Sequence, residues 1–175
     1  KFSPDVVVTS TTTSTINHDL KVIDEMKTRK KDCIFIMKGS IFFKAPSFLL
    51  ESLNLENIDY LIGGEIEFAA INIINKINLD EKNFSEIPGI FIRSNNKWVE
   101  NEFDNWNKEI DDLPFPNRDK INNKLYFRPD TGEPQATIAT SRGCPSACVY
   151  CLTPTISGKK TRFRTPKSII QELED

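Results

Sequence analysis

The sequence lacks any long apolar run, any strong excess of charge and any large set of cysteines. Its longest apolar runs, such as residues 34–37, fall far short of the roughly 18 residues that suggest a membrane span. Lys and Arg number 23 against 25 Asp and Glu, so a net charge of -2 gives no general attraction to nucleic acid or to an anionic membrane. Four cysteines, three of them clustered in residues 144–151, do not make the disulfide framework of a secreted mini-domain. We therefore expect no membrane span, no nucleic-acid partner and a reduced, cytoplasmic setting.

The residues that are present are typical of a folded protein. A chain of 175 residues with 38% hydrophobic and 27% charged residues has enough apolar material for a core and an ordinary surface. It begins without an initiator Met or a signal-peptide pattern, and its last residues, Glu172 to Asp175, continue a helical pattern. We expect a fragment that contains one small domain and a piece of another.

Short β-rich runs alternate with helical patterns over the first hundred residues. The buried-strand runs are 5–8, 33–37 and 58–62, and the helical patterns are 18–30 with Asn17 as its cap, a segment beginning at Pro46, and 66–77. Parallel neighbours in a sheet need a crossover, and these helices supply it. The pattern predicts the α/β class, with a doubly wound parallel sheet covered on both faces. Residues 90–102 predict a small hairpin that finishes the edge of this sheet.

The composition changes after residue 102. Residues 103–135 are rich in Asn, Asp, Pro and Lys and predict a linker between domains. Residues 136–140 then predict a strand that runs directly into the cysteine cluster, and Pro166 to Leu173 predict a helix. We expect the doubly wound domain at 1–102, incomplete at its amino terminus, the linker at 103–135, and the truncated start of a second domain at 136–175.

The cysteine cluster is the sharpest chemical feature of the chain. Cys144, Cys148 and Cys151 form a Cys-x3-Cys-x2-Cys array, and three thiolates on one loop can bind three corners of an iron–sulfur cubane. The fourth iron is then open to a chelating ligand. Structural zinc favours four protein ligands, and the only spare candidates, Cys33 and His18, belong to the other domain. A zinc site and a redox pair at the last two cysteines of the array are the alternatives.

The residues around the cysteines resemble a known family. The array follows a predicted strand, an aromatic residue stands directly before its last cysteine, and residues 140–145 read Thr-Ser-Arg-Gly-Cys-Pro. This pattern resembles the radical S-adenosylmethionine (radical SAM) superfamily. The resemblance implies that the three cysteines hold a 4Fe-4S cluster, that its fourth iron binds the amino and carboxylate groups of S-adenosylmethionine, and that Tyr150 lies beside the adenine. Arg162 and Arg164 also match the family, in a catalytic or a structural role.

The activity implied by this family is radical chemistry. The resemblance implies that a low-potential electron donor, such as flavodoxin or ferredoxin, reduces the cluster, and that an electron passed to the sulfonium yields a deoxyadenosyl radical. The cofactor carries this chemistry and the protein positions it. The second domain would then be a partial TIM-type barrel, of which residues 136–175 contain the first βα unit.

The first domain resembles the cobalamin-binding domain that precedes the radical SAM barrel in a large bacterial class. The resemblance covers residues 4–77 and the linker sequence 110–116. A doubly wound sheet binds ligands at the carboxyl ends of its strands, and a nucleotide tail needs small residues along its slot. The residues implied for cobalamin are Ser10, Thr12, Thr13, Gly39, Ser40, Gly63, Gly64 and Glu65. Ordinary turns and helix caps of such a fold would show the same residue types.

Two departures from the cobalamin-binding pattern leave alternatives open. The Asp-x-His-x-x-Gly signature is absent, since the only histidine is His18, and residues 38–41 read Lys-Gly-Ser-Ile instead of a glycine pair with Pro-His. The sequence predicts a radical SAM enzyme with a cobalamin-binding domain, performing radical chemistry such as methyl transfer on an unknown substrate, with the fragment alone inactive. The alternatives are a radical SAM enzyme whose first domain binds no cobalamin, and a non-catalytic iron–sulfur or zinc-binding protein.

Overall fold

Five strands in sequential order form the sheet of the first unit. The computed structural model describes residues 3–103, 106 and 109–175, and the chain divides into the units Lys1–Trp106 and Asn107–Asp175. The strands are β1 (Val6–Ser10), β2 (Ile34–Lys38), β3 (Tyr60–Ile62), β4 (Ile90–Ser94) and β5 (Lys97–Glu100). The first three strands are parallel to one another, and the last two join the sheet antiparallel.

Helices cover both faces of this sheet. They are α1 (Ile16–Arg29), α2 (Ser47–Glu51) and α3 (Ile66–Asn78). Because side chains alternate along a strand, Phe35 and Met37 of β2 pack with α1 and α2, whereas Ile36 packs with α3 on the opposite face. The alternation of strand and helix in the sequence predicted this arrangement, and the mostly parallel, doubly covered sheet confirms it.

The first helix starts earlier than its sequence pattern predicts. The helix begins at Ile16 with Thr15 as the N-cap, so the predicted start at residue 18 with Asn17 as the cap is wrong. The backbone N–H groups of Thr15 and Ile16 both donate to Thr12 O, at 3.1 and 3.0 Å, so the Ser/Thr-rich turn leads directly into the helix. Ile16 is buried together with Leu20 and Ile23, so the apolar stripe of the helix begins one turn before Leu20.

The predicted hairpin is present as β4 and β5. Its turn residues Asn95 and Asn96 have φ values of 49° and 61°, a backbone region that Asn tolerates and that tight hairpins need. Behind the hairpin, the buried side-chain amide of Asn101 donates to Phe84 O at 2.7 Å and to Ile87 O at 2.8 Å. These bonds fix the end of the hairpin to the loop that follows α3.

The second unit is small and rich in turns. It contains β6 (Ser141–Arg142), α4 (Thr153–Ile156), β7 (Arg162–Phe163) and α5 (Pro166–Glu174), with short 3₁₀ turns at 110–112, 118–120 and 123–125. The predicted helix at 166–173 is confirmed as α5. Within the predicted linker, residues 104, 105, 107 and 108 lie outside the described residues.

The predicted strand at 136–140 is not observed. The strand in this region is the two-residue β6, which pairs antiparallel with β7 and not with a parallel neighbour. A segment becomes a strand only where another strand pairs with it. Here Thr140 O accepts from Arg164 N at 2.9 Å, while Thr137 O and Ala139 O accept from the side chains of Arg118 and Arg164.

In the described part of the chain, no helix is both long enough and apolar enough to cross a membrane.

Candidate functional site

A closed loop in the second unit carries the three clustered cysteines. Strands β6 and β7 pair at its base, Ser141 opposite Phe163 and Arg142 opposite Arg162. Just inside this base, Cys144 N donates to Gly158 O at 3.0 Å. The two ends of the loop are therefore held together by backbone hydrogen bonds, and residues 144–157 extend from that base.

Gly143 allows the chain to enter the loop. Its φ is 84°, a left-handed conformation that a residue with a Cβ seldom adopts. A Cβ added there would overlap Lys160 O and would lie 3.1 Å from Gly158 O. Only glycine fits this position, so the residue before the first cysteine determines how closely the two sides of the loop approach.

All three cysteines of the loop are free thiols. Cys144 and Cys151 are partly buried and Cys148 is exposed. Cys151 N donates to Cys148 O at 3.1 Å, so the last two cysteines share one turn. Within the described ranges, no group of three or more His, Cys, Asp or Glu side chains is arranged to hold a metal ion. The loop thus gathers three free thiols within eight residues of the chain.

The Cys151 thiol has an environment that favours its ionised form. Its Sγ lies 3.4 Å from Thr153 Oγ1. Hydrogen bonds from the Thr153 hydroxyl and then from the Thr153 backbone lower the pKa of Cys151 below the usual thiol range, against a smaller opposing effect of burial. The thiolate is the form of cysteine that binds metals.

The tip of the loop exposes apolar side chains. Tyr150 is 87% exposed, and its neighbours Val149 and Leu152 are exposed as well. In the described structure, Tyr150 therefore presents its ring at the surface of the unit beside Cys151, where a flat ligand could stack on it.

The residues predicted for a nucleotide-like ligand come together in the first unit. Strands β1, β2 and β3 are parallel with Ser10 opposite Lys38 and Lys38 opposite Ile62, so all three end at the same edge of the sheet. The residues at or directly after these ends are Ser10, Thr12, Thr13, Gly39, Ser40, Gly63, Gly64 and Glu65. This carboxyl edge is the ligand-binding edge of doubly wound sheets.

Two glycines of the carboxyl edge also have internal packing roles. A Cβ on Gly63 would overlap the backbone of Phe43, and a Cβ on Gly39 would lie 2.9 Å from Thr11 Cγ2. A Cβ on Gly64 would make only ordinary contacts, 3.5 Å from Trp106 Cζ3. Gly64 and the exposed residues Ser10, Thr12 and Thr13 therefore remain open to a ligand at this edge.

A polar network occupies the start of α1 at this edge. Asp19 accepts hydrogen bonds from Thr11 Oγ1 at 2.7 Å and from Thr15 Oγ1 at 2.8 Å. These bonds, that of Thr11 first, lower the pKa of Asp19 below the usual carboxyl range. A carboxylate here satisfies the positive end of the helix dipole, so a ligand anion is not favoured at this helix terminus.

Sequence reasoning missed an aromatic cluster beside Gly64. The ring of Phe43 stacks on Trp106 at 5.5 Å and meets Phe103 at 5.7 Å edge-on, and the rings of Phe103 and Trp106 are 4.5 Å apart. Phe43 follows the turn after β2, and its position close to the end of a strand was the feature of the sequence that could have indicated it as part of the carboxyl edge. The other two members lie some 60 residues further along the chain, so only the fold brings them together.

The two spare candidate ligands of the first unit are poorly suited to metal binding. Cys33 is 2% exposed and packs in the core with Ile23 and Phe35. His18 lies exposed in the first turn of α1, one residue before Asp19. Cys33 is a core residue, and His18 lies at a helix start as the sequence predicted.

Solved structures with a similar fold cover nearly the whole chain. A radical S-adenosylmethionine methyltransferase, TsrM, from Kitasatospora setae, with cobalamin and a [4Fe-4S] cluster bound, matches 99% of this chain and 35% of its own, with a TM-score of 0.67 and 17% identity. The cobalamin-dependent S-adenosylmethionine radical enzyme OxsB, with aqua-cobalamin and S-adenosylmethionine bound, matches 98% of this chain and 23% of its own, with a TM-score of 0.71 and 18% identity.

Curated relatives match most of the chain at the level of sequence. An uncharacterized methyltransferase of Pyrococcus horikoshii is 28% identical over 174 residues, which are 99% of this chain and 37% of the relative. The hopanoid C-3 methylase of Methylococcus capsulatus is 28% identical over 157 residues, 87% of this chain and 29% of its own. The chain thus spans about a third of the length of these relatives.

No protein-family model matches the chain. The relatives and the solved structures nevertheless agree with the resemblance drawn from the cysteine motif and from the first domain. The chain has the fold that cobalamin-dependent radical S-adenosylmethionine enzymes share over this region.

Proposed function

We propose that the chain is part of a cobalamin-dependent radical SAM enzyme that transfers methyl groups. The observation that carries the proposal is the loop of three free cysteines in a chain whose whole length has the fold of such enzymes. The two curated relatives are a methyltransferase and a methylase, which supports methyl transfer as the class of reaction.

We propose Cys144, Cys148 and Cys151 as the ligands of a 4Fe-4S cluster. A cubane takes one protein sulfur at each of three irons, and the loop offers three free thiols. When bound, the cluster supplies the electron that cleaves S-adenosylmethionine. We propose that the loop residues bind the cluster and orient S-adenosylmethionine, with the ring of Tyr150 stacking on the adenine.

Zinc is the less suitable occupant of this loop. A structural zinc ion wants four ligands directed at one point. The loop has three thiols, and Cys33 cannot leave the core of the first unit without opening a cavity there. The donor set therefore favours the cluster.

Reconstitution tests the cluster proposal. The 175-residue chain, incubated anaerobically with iron and sulfide, is expected to load a cluster, and Cys148→Ala is expected to lose it. Cys33→Ala is the matched control, because it removes a thiol outside the loop. Equal loading of iron and sulfide by the wild-type chain and by Cys148→Ala would contradict the proposal.

We propose that cobalamin binds at the carboxyl edge of the first unit. Thr12, Thr13 and Gly64 are open positions there, and the aromatic cluster beside Gly64 offers apolar surface for a large planar ligand. The other residues proposed for contact, Ser10, Gly39, Ser40, Gly63 and Glu65, follow the same three strand ends. We propose no histidine of this chain as a cobalt ligand, because its one histidine, His18, does not stand in an Asp-x-His-x-x-Gly signature.

Gel filtration with hydroxocobalamin tests the second site. The chain is expected to retain the corrin spectrum, and Gly64→Leu is expected to weaken retention because its side chain would fill the space beside Phe43 and Trp106. Ser94→Leu is the control, an exposed position of the hairpin towards the other end of β3. Absence of corrin in the wild-type fraction would favour an enzyme whose first domain binds no cobalamin.

We further propose a low-potential electron donor such as flavodoxin or ferredoxin as the partner, and a reducing, cytoplasmic setting for the four free thiols.

The chain covers about a third of its relatives, so we also propose that these 175 residues bind cofactors without completing the reaction. Release of deoxyadenosine or S-adenosylhomocysteine by the reconstituted chain alone would contradict this last point.

A further inference from the structure

A buried group of charges lies outside the cysteine loop in the second unit. The Glu172 side chain on α5 is 2% exposed, and it accepts hydrogen bonds from Arg118 Nη2 at 2.6 Å and from Arg164 Nη1. Ion pairs this deeply buried are costly to desolvate and give stability only when their remaining hydrogen-bonding groups are satisfied. The contacts of this buried group therefore indicate which segments of the unit it holds together.

Arg164 satisfies its donors on several segments at once. Its side chain, 10% exposed, donates to Ala139 O at 3.2 Å, to Ser168 O at 3.1 Å and to Ser168 Oγ at 2.9 Å. Its backbone N–H donates to Thr140 O at 2.9 Å. One residue thus joins the segment that precedes β6 to the helix α5.

The linker region contacts the same residue. The guanidinium of Arg164 lies 5.3 Å from the ring centroid of Phe115, and its Nε lies 3.9 Å from Asp111 Oδ1. The carboxylate of Asp111 also accepts a hydrogen bond from Thr165 N at 3.1 Å. Arg164 therefore connects residues 139–140, which lead through β6 into Gly143 and Cys144, both to α5 and to residues 111–115 of the linker region.

We propose that Arg164 is a positioning residue for the cysteine loop. By fixing residues 139–140 on one side and α5 on the other, its planar fork sets the base of the loop from which Cys144 projects. The inference deepens the proposed cluster-binding function and rests on it only for the spectroscopic part of the test. The sequence is compatible with a catalytic or a structural role for Arg164. Its contacts indicate that it acts by holding the cysteine loop in position.

The test compares Arg164→Lys with Arg128→Lys. Lys keeps the charge at 164 but cannot make the forked contacts, and Arg128 supplies the same substitution in an exposed pair with Asp130. The first readout is the alkylation rate of each cysteine in the native apo chain, measured by mass spectrometry. We expect Cys144 to react at least about threefold faster in Arg164→Lys, because local opening of the loop base exposes it, and to be unchanged in Arg128→Lys.

The second readout is the electron paramagnetic resonance spectrum of the reduced cluster after reconstitution. A change of g values in Arg164→Lys but not in Arg128→Lys is expected, whereas a residue that only stabilises the fold would leave the spectrum of the folded fraction unchanged. If Arg164→Lys does not fold, Ser168→Ala removes one acceptor of the fork and leaves both ion pairs, and a faster reaction of Cys144 is again expected.

Unchanged alkylation rates and unchanged spectra in folded variants would overturn the proposal. Failure of the wild-type chain to load iron would instead overturn the cluster assignment. The alkylation rates of the apo chain decide the role of Arg164 in either case.

Discussion

Gly143 is the residue whose backbone conformation most directly determines the cysteine loop. Gly143→Ala must adopt a left-handed φ and must also displace Lys160 O. Gly132→Ala is a matched control, because Gly132 has a φ of 72° but has no atom within 4 Å of its Cβ position.

We expect Gly132→Ala to lower the free energy of unfolding by about 1 kcal/mol, because only its backbone is strained. We expect Gly143→Ala to lower the free energy of unfolding by more than this and also to reduce iron loading. Urea unfolding and iron content after reconstitution measure the two effects. Equal losses in the two variants would mean that the close approach of Lys160 is unimportant.

The thiol of Cys151 gives a second prediction for a single residue. Thr153→Val removes the hydroxyl that lowers the pKa of Cys151 most, while the backbone hydrogen bond remains. The pKa of Cys151 is therefore expected to rise towards its usual range, and its alkylation at neutral pH to slow by about two- to fivefold because less thiolate is present. Cys148 in the same chain is the internal reference. An unchanged ratio of the Cys151 rate to the Cys148 rate would contradict the assigned hydrogen bond.

Single residues also differ in how far the sequence can predict them. The three loop cysteines are predictable because the whole donor set lies within residues 144–151. The ion pair of Arg118 with Glu172 is not, because its members are 54 residues apart and carry no pattern that links them. The glycines at the strand ends were correctly located, but only the packed structure distinguishes Gly63, which approaches Phe43, from the more open Gly64.

At the scale of elements, helices with an apolar stripe were predictable and isolated strands were not. The stripe of α3, which includes the buried residues Ala69 and Ile73, identifies both the helix and its buried face. The segment 136–140 has the composition of a strand, but its state depends on a neighbour that its own sequence does not specify. The start of α1 was misplaced because the prediction did not include the buried Ile16, the first member of its apolar stripe.

The packing of β3 against the loop after α3 gives a prediction about pH. The ring of Tyr60 lies 4.8 Å from that of Phe84, and burial first, then the charge of Asp59, raises the pKa of Tyr60 to about 12. A raised pKa means that the folded state holds the phenol proton more tightly than the unfolded state does. The stability contributed by the neutral phenol is therefore complete below about pH 10 and is lost as the pH rises towards 12.

Tyr60→Phe removes this titration and is expected to flatten the fall of the urea midpoint at alkaline pH. Tyr126→Phe is the control, an exposed tyrosine of the second unit. Circular dichroism at a series of urea concentrations, repeated from about pH 8 to pH 11, measures the midpoints. The same alkaline fall in Tyr60→Phe as in the wild-type chain would show that other groups cause it.

For the whole molecule, the distribution of charge is more informative than its sum. The chain is nearly neutral, yet residues 134–171, which contain the cysteine loop, carry no Asp or Glu and six basic residues: Arg142, Lys159, Lys160, Arg162, Arg164 and Lys167. The rest of the chain is therefore acidic. Arg164 is used internally, whereas Lys159, Lys160 and Lys167 are exposed. The exposed lysines make this segment attractive to anionic partners, including an acidic electron donor.

This charge distribution predicts how the proposed electron donor reaches the cluster. Reduction of the reconstituted chain by an acidic flavodoxin is expected to slow about tenfold as ionic strength rises from low to physiological values, because salt screens the attraction that steers the encounter. The double variant Lys159→Glu with Lys160→Glu is expected to be slow already at low salt and to depend less on salt. Lys120→Glu with Lys124→Glu, two exposed lysines outside residues 134–171, is the control with the same change of net charge. Stopped-flow reduction rates measure all three chains, and equal salt dependence in the two double variants would show that net charge, not the cluster-loop lysines, steers the donor.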